Sequence, residues 1–198
     1  MPEPAARRLA TVLDSLDRLN RADPNTDSDG ASAHPREGLY AQRLSAWVKK
    51  LRPDASEALQ IAARGQHVQR WTIPRQRYEM NRQGYLRWRE TLKAFHIETV
   101  AAIMREAGYG EPEIARVGRI MNKRHLAEEP ESQTLEDALC LVFLEFQFAD
   151  LRKKTEDGKM REIVRKTWAK MSEQGRKEAL DLPLSQDDKN FLREALAG

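Results

Sequence analysis

The sequence predicts an all-α protein that folds as one compact, single-domain bundle of about eight helices. Apolar residues recur at spacings of three and four through most of the chain, as they do on one face of an amphipathic helix. Helix-capping residues and prolines separate these segments, and neither strand alternation nor an internal repeat is apparent. The chain divides into an N-terminal helix (1–22), a flexible linker (23–36) and a helical domain (37–198).

The first three helices are predicted from their apolar stripes, and the segment between the first two is a linker because it is rich in Asp, Ser, Asn and Pro. Asp54 and Glu57 have capping-box spacing and are expected to open the third helix, which should continue to about Arg70 before Pro74 stops it. The three stripes are Leu9, Val12, Leu13, Leu16 and Leu19, then Tyr40, Leu44, Trp47, Val48 and Leu51, then Leu59, Ala62 and Ala63.

The later helices are predicted from their ends. The longest should begin near Gln83 and end at Gly108, and Pro112 then stands in the first turn of the next helix. Thr134 with Asp137, and Ser185 with Asp188, are expected to cap two further helices. The inward faces should bury Trp47, Leu92, Phe95, Val142, Phe143 and Trp168.

The composition indicates a cytoplasmic protein. The longest apolar stretch has seven residues, 138–144, so we expect no membrane-spanning segment, and no signal-peptide core is apparent. Cys140 is the single cysteine, which excludes an intramolecular disulfide and a cysteine-rich metal site and is typical of a reducing compartment.

Charge is unevenly distributed along the chain. The net charge is +3, yet residues 64–93 contain eight Lys and Arg against two Glu, with four aromatic residues between them. This segment can bind the phosphate of a small molecule, bind nucleic acid along its length, or consist of core aromatics and solvated arginines. The small overall charge makes RNA the less favoured partner. Glu128, Glu129, Glu131, Glu136 and Asp137 form an acidic cluster further along the chain.

Two histidines continue the apolar faces of their helices, because His67 follows Ala63 and His96 follows Leu92 at a spacing of four. Both imidazoles should therefore point inward, either as hydrogen-bonded core residues or as parts of a shared site. A shared site requires the two rings to lie within about 5 Å of each other and of a carboxylate. By contrast, His34 falls in the linker and His125 at a basic helix end.

The carboxylates that could accompany the histidines are Glu37, Glu136 and Asp137. Asp137 has a second explanation, since it can cap Thr134 without any ligand. Glu145 interrupts an apolar segment, so its carboxylate needs a partner, and Arg43 is the candidate.

Four sets of residues resemble the family known as domain of unknown function 4202, over nearly the whole chain. The family has no settled biochemistry. Some members carry the label glutamyl-tRNA synthetase, which the motifs here do not support, because His96-Ile97-Glu98-Thr99 and Lys170-Met171-Ser172-Glu173-Gln174 lack the required glycine and second lysine. The resembling sets are Asp23-Pro24 with Glu37-Gly-Leu-Tyr40-Ala-Gln-Arg43, Arg64-Gly-Gln-His67-Val-Gln-Arg70-Trp71-Thr-Ile-Pro74-Arg75, Tyr85-Leu-Arg-Trp88-Arg89 with His96, and Leu135-Glu136-Asp137-Ala-Leu-Cys140-Leu-Val-Phe-Leu-Glu145.

A more distant resemblance is to the metal-dependent His-Asp phosphohydrolases, all-α proteins that hold a metal with side chains from separate helices. The chain departs from their pattern where Gln66-His67 replaces the His-Asp pair. The resemblance implies either one divalent metal (Mn, Fe, Zn, Co or Ni) held by His67, His96 and Asp137, with Glu136 as a further ligand, or a degenerate HD-like pocket that holds no metal. It implies Glu37, His67, His96 and Asp137 as catalytic residues.

The expected function is hydrolysis of a small nucleotide or another phosphate ester. The alternatives are a non-catalytic nucleotide- or RNA-binding module that uses residues 64–93, and a structural helical protein with a buried polar network. The oligomeric state is left open. The expected ligand-binding residues are Tyr40, Arg43, Arg70, Arg75, Tyr85, Trp88, Arg89 and Lys123.

Overall fold

The computed structural model describes residues 4–123 and 129–197, with side chains from residue 7 onward, and confirms the all-α prediction. Two single 3-10 turns, Arg70–Thr72 and Arg75–Arg77, connect the third and fourth helices. The α-helices of this part of the chain are α1 (Pro4–Arg21), α2 (Arg36–Leu51), α3 (Glu57–Gly65), α4 (Arg82–Glu106), α5 (Glu111–Asn122), α6 (Pro130–Phe146), α7 (Phe148–Arg152), α8 (Asp157–Lys170), α9 (Glu173–Leu180) and α10 (Gln186–Ala197).

Helix α6 lies at the centre of the molecule and contacts α2, α3, α5, α7, α8 and α9. Its sequence explains this position, because a helix that is apolar on nearly all sides is stable only when surrounded by protein. Leu135, Ala138, Leu141 and Leu144 are buried along its length. Around it, α3 packs on α5, α4 on α5, and α8 on α10.

The segment expected to be a linker instead forms a hairpin of two antiparallel strands, β1 (Thr26–Ser28) and β2 (Ala33–Pro35). Arg43 of α2 secures it, because its guanidinium donates to the Ser28 carbonyl at 2.7 Å and to the Asp27 carboxylate at 3.2 Å. Asp23 joins the hairpin to α2 by accepting the Glu37 backbone N–H at 3.0 Å. Strands of three residues are too short to show alternation in the sequence.

Helix boundaries differ from the expectation at two places. Ser56, not Asp54, caps α3, since its hydroxyl accepts the Leu59 N–H, and the helix ends at Gly65. Helix α6 begins at Pro130, so Thr134 lies inside it and donates its hydroxyl to the Pro130 carbonyl. The sequence patterns also did not predict the short helices α7 and α9.

The expected core is partly confirmed. Trp47, Leu92 and Val142 are buried, with exposures of 8%, 5% and 1%. Phe95, Phe143 and Trp168 are half-buried. Within the described residues, no helix combines the length and the apolar character needed to cross a bilayer.

Candidate functional site

A cleft of about 640 Å³ opens between α4 and α6 and is closed by the turn after α3 and the ends of α5 and α8. The two inward-facing histidines, His67 and His96, stand on its wall. The cationic residues that line it are Arg70, Arg89, Lys93, Lys123 and Lys170, and Glu136 is the one acidic residue among the described lining residues.

His67 lies in the turn after α3 and not on the helix as expected. Helix α3 approaches α4 so closely at Gly65 that a Cβ there would lie 2.4 Å from the Val100 side chain. After this contact the chain leaves the helical path, and Gln69 adopts a left-handed conformation with φ 52°. The turn directs the His67 ring towards α2.

Two residues of α2 hold the His67 imidazole. The Tyr40 ring stacks on it with centroids 4.2 Å apart and an interplanar angle of 11°. The buried Glu37 carboxylate lies 3.4 Å from Nδ1, which assigns the Nδ1 proton to the Glu37 side. Burial lowers the pKa of His67, and Glu37 opposes this effect. At neutral pH the ring is therefore neutral, with Nε2 as its basic nitrogen.

His96 is the more deeply buried histidine, with 4% of its surface exposed. Its ring centroid lies 5.9 Å from that of His67, slightly beyond the expected separation. The Gln66 backbone forms a hydrogen bond with the imidazole, and Nε2 has no partner, so this bond belongs to Nδ1. Burial, aided by the neighbouring His67, lowers the pKa of His96 to about 3.

We expect this burial to make the protein sensitive to acid. Between the ordinary pKa of 6.5 and the folded-state pKa of about 3, the unfolded chain binds one proton more than the folded chain at His96. The stability that neutral His96 provides is complete above pH 6.5 and is lost as the pH falls, with a slope of about 1.4 kcal/mol per pH unit.

Urea unfolding of the wild type and of His96→Gln, at intervals from pH 6.5 to 4, measures this effect. The variant should lose less stability than the wild type over that range, since the carboxylates and His67 titrate in both proteins. Parallel profiles would mean that His96 does not control the acid response.

Lys123 and Lys170 flank Glu136 across the cleft, with Nζ to carboxylate distances of 3.1 and 3.5 Å. Burial would raise the pKa of Glu136, but the two ammonium groups keep it below its ordinary value. Lys123 follows the end of α5 with a left-handed φ of 53°, a conformation that glycine usually adopts at this position. In the described residues, the other non-glycine residue with positive φ is Gln69, in the turn that carries His67.

Aromatic side chains form the outer part of the cleft. The Trp88 indole donates to the Ile73 carbonyl at 2.8 Å, which fixes the orientation of its ring. The Arg70 guanidinium lies over that ring, 4.9 Å from its centroid. Tyr85 is 6.0 Å from Trp88 and 43% exposed. The Arg89 guanidinium lies 5.8 Å from the Tyr85 ring centroid, so four of the expected ligand-binding residues, Arg70, Tyr85, Trp88 and Arg89, lie together in the cleft.

Asp137 does not join the histidines, contrary to the expectation from the His-Asp phosphohydrolases. Its carboxylate accepts hydrogen bonds from the backbone N–H and hydroxyl of Ser172 and from the Gln133 amide. Ser172 is the N-cap of α9, and a Cβ at Gly175 would lie 2.7 Å from the carboxylate. Asp137 thus anchors α9 on α6, and it does not cap Thr134.

Two predicted ligand-binding arginines also serve the fold. Arg75 donates to three backbone carbonyls, those of Tyr78, Glu79 and Asn81, and so shapes the loop before α4. Arg43 binds the hairpin and lies over the Phe146 ring. Arg70, Arg75 and Arg89 were expected to converge on one concave surface. Arg70 and Arg89 line the cleft, and Arg75 does not. The expected partner of Glu145 was Arg43, but Arg43 does not fill this role. The Glu145 carboxylate instead accepts a hydrogen bond from the Trp47 indole N–H at 2.7 Å.

Several residues of the cleft were not predicted from the sequence patterns. Lys93 could have been found, because it follows Arg89 by four residues on the same face of α4. Gln66 stands next to His67. Asn122 and Lys170 end helices α5 and α8, and no local pattern distinguishes them from other polar residues at helix ends. His125 and Glu128 lie outside the described residues.

The arrangement does not fit the divalent metal that the more distant resemblance implies. No group of three or more His, Cys, Asp or Glu in residues 4–123 and 129–197 is placed to hold a metal ion. Asp137 is directed at Ser172, and Glu136 is already neutralised by two lysines. The remaining pair of imidazoles faces a concentration of positive charge, which disfavours a further cation.

The fold and the cleft define an all-α protein with a cation-lined polar site built around two neighbouring histidines. The chain belongs to the family described as Domain of unknown function (DUF4202), whose model matches residues 10–192. This confirms the family resemblance drawn from the four sets of residues. Comparison with curated proteins and with solved structures gave no match.

Proposed function

We propose that the cleft binds a small phosphorylated molecule and that the protein hydrolyses its phosphate ester, with His67 as general base. One observation carries the proposal: five cationic side chains line the same cleft as two histidines with lowered pKa values. A surplus of positive charge in a concave site favours anionic ligands, and guanidinium and ammonium groups bind phosphate oxygens well.

The phosphate is bound by Arg70, Arg89 and Lys93, which extend from the turn after α3 and from α4. Arg89 and Arg70 lie over aromatic rings, which limits the movement of their guanidinium groups and so the entropy lost when they bind a ligand. Lys123 and Lys170 place further positive charge across the cleft, and Glu136 offsets part of it.

The reaction assigned to this site is attack of water on phosphorus. His67 Nε2 takes a proton from the water while the new P–O bond forms and the bond to the ester oxygen breaks; the departing alkoxide takes a proton from solvent. Glu37 stabilises the imidazolium that forms, from the Nδ1 side of the ring. Apo-state distances such as this 3.4 Å separation commonly shorten in the substrate complex.

A non-catalytic binding module is the second candidate, supported by the exposed Tyr85 ring and the oriented Trp88 ring, which offer stacking faces. An extended RNA surface has less support. Arg75 is used by backbone carbonyls and Arg64 is paired with Asp17 at 3.0 Å, so the basic segment does not present all of its charges to a ligand.

Two neighbouring arginines of α4 provide a matched test of phosphate binding. Arg89 lines the cleft and Arg87 does not, although both are exposed. Arg89→Ala should weaken binding of inorganic phosphate about tenfold, the equivalent of one charge-assisted hydrogen bond, and Arg87→Ala should leave it unchanged. Isothermal calorimetry at fixed ionic strength measures both affinities.

If the two substitutions weakened phosphate binding equally, phosphate would be attracted by the general positive charge of the surface and not bound in the cleft. Phosphate binding without release of phosphate from any ester would favour the binding module over the hydrolase.

A further inference from the structure

Three of the residues that line the cleft each carry a buried acceptor atom that has no hydrogen-bond partner among the described residues. These atoms are His96 Nε2, Gln66 Oε1 and Asn122 Oδ1. A buried acceptor without a donor costs about 1–3 kcal/mol, so such atoms are rare in folded proteins and require an explanation. Their concentration in one cleft points to a ligand that supplies the missing donors.

The acceptors complement the cations of the same cleft. Lysine and arginine side chains donate and cannot accept, so they suit the phosphate oxygens. The three unpartnered atoms require O–H or N–H groups instead. An ammonium-bearing ligand would supply donors but would be repelled by the five cationic side chains. Neutral hydroxyls supply donors without that repulsion.

Building on the proposed function, we infer that the ligand is a hydroxyl-rich phosphate ester, that is, a phosphorylated sugar or polyol. Its phosphate contacts the cations, and its hydroxyls donate to His96, Gln66 and Asn122. The cleft volume of about 640 Å³ is of the size that encloses a ligand of this kind.

His96 is the residue that gives this selectivity. Its Nδ1 is bonded to the Gln66 backbone, which leaves the buried Nε2 as an acceptor. A site with a buried acceptor rejects an analogue that lacks the matching hydroxyl, because the acceptor then remains unpaired in the complex. Selection between esters therefore depends on His96, whereas affinity for phosphate itself depends on the cations.

Calorimetry with esters that differ in hydroxyl content tests the inference. Ribose 5-phosphate, glucose 6-phosphate and glycerol 3-phosphate are compared with methyl phosphate and inorganic phosphate. At least one hydroxylated ester should bind about tenfold more tightly than methyl phosphate, as expected for one or two hydrogen bonds to buried acceptors. His96→Phe should abolish this preference, so that within this variant the hydroxylated esters bind no more tightly than methyl phosphate.

Ser132→Ala is the matched control. Its hydroxyl is also buried without a partner among the described residues, but it lies outside the cleft, so the preference should persist. Asn122→Ala gives a second test that does not depend on the folding of His96→Phe, and it should also reduce the preference.

The possible failures are distinguishable. Equal binding of all esters, with phosphate still bound and no effect of His96→Phe or Asn122→Ala, would overturn the inference and assign the acceptors to water; the phosphate site would stand. Failure of inorganic phosphate and every ester to bind the wild-type protein would overturn the proposed function and this inference together.

Discussion

Replacing His67 with Gln is expected to lower phosphate-ester hydrolysis by about 10²- to 10⁴-fold, the usual contribution of a positioned general base. Glutamine keeps a polar group of similar size beside the buried Glu37 carboxylate, so the fold should persist. His67 is only partly buried, at 27% side-chain exposure, which limits the cost of the change. Release of inorganic phosphate from the best-bound ester, at saturating concentration, measures the loss.

Two α2 variants separate catalysis from support of the ring. Glu37→Gln removes the negative charge beside Nδ1 and should reduce turnover less than loss of His67 itself. Tyr40→Phe retains the ring stacked at 4.2 Å and should have little effect. Unchanged hydrolysis in His67→Gln, with the ester still bound, would exclude His67 as the base.

Replacing Asp137 with Ala is expected to lower the free energy of unfolding by about 3 kcal/mol without weakening phosphate binding. The substitution leaves the Ser172 N–H and hydroxyl without their acceptor and removes one of the two hydrogen bonds that the Gln133 amide donates. These groups join α9 to α6, so the loss falls on the packing of the two helices. Urea unfolding measures the stability, and calorimetry with inorganic phosphate measures binding.

Glu173→Ala is the control, since this exposed glutamate stands in the first turn of the same helix. Its loss affects mainly the helix dipole and should cost less than about 1 kcal/mol. If Asp137→Ala abolished phosphate binding at unchanged stability, the carboxylate would belong to the ligand site after all.

Helix periodicity predicted the all-α class, and it predicted that the rings of His67 and His96 point inward. For His96 the reason was correct, because it lies on the buried face of α4. For His67 it was not: the helix ends at Gly65, and the turn after it carries the ring to the cleft. At Gly65 the backbone of α3 also lies against the Val100 side chain, a tertiary contact that spacing along one helix cannot show.

The roles of the polar residues were harder to predict, because their partners are distant in sequence. Asp137 bonds to Ser172, 35 residues away, and Glu145 to Trp47, 98 residues away. The sequence around a carboxylate that binds a ligand can be the same as the sequence around a carboxylate that bonds to the end of a distant helix. Local sequence therefore does not distinguish the two roles. Arg75 donates to backbone carbonyls, which every residue carries, so the sequence does not indicate these contacts.

The walls of the cleft come from residues as far apart as Gln66 and Lys170: from the turn after α3, from α4 and α6, and from the ends of α5 and α8. A ligand that joins them is bound by the folded chain and not by the unfolded one, so occupancy and folding are thermodynamically coupled. At one hundred times its dissociation constant, such a ligand adds about 2.7 kcal/mol to the stability of the whole molecule. Resistance of the protein to proteolysis should then rise with the concentration of a ligand that binds the cleft.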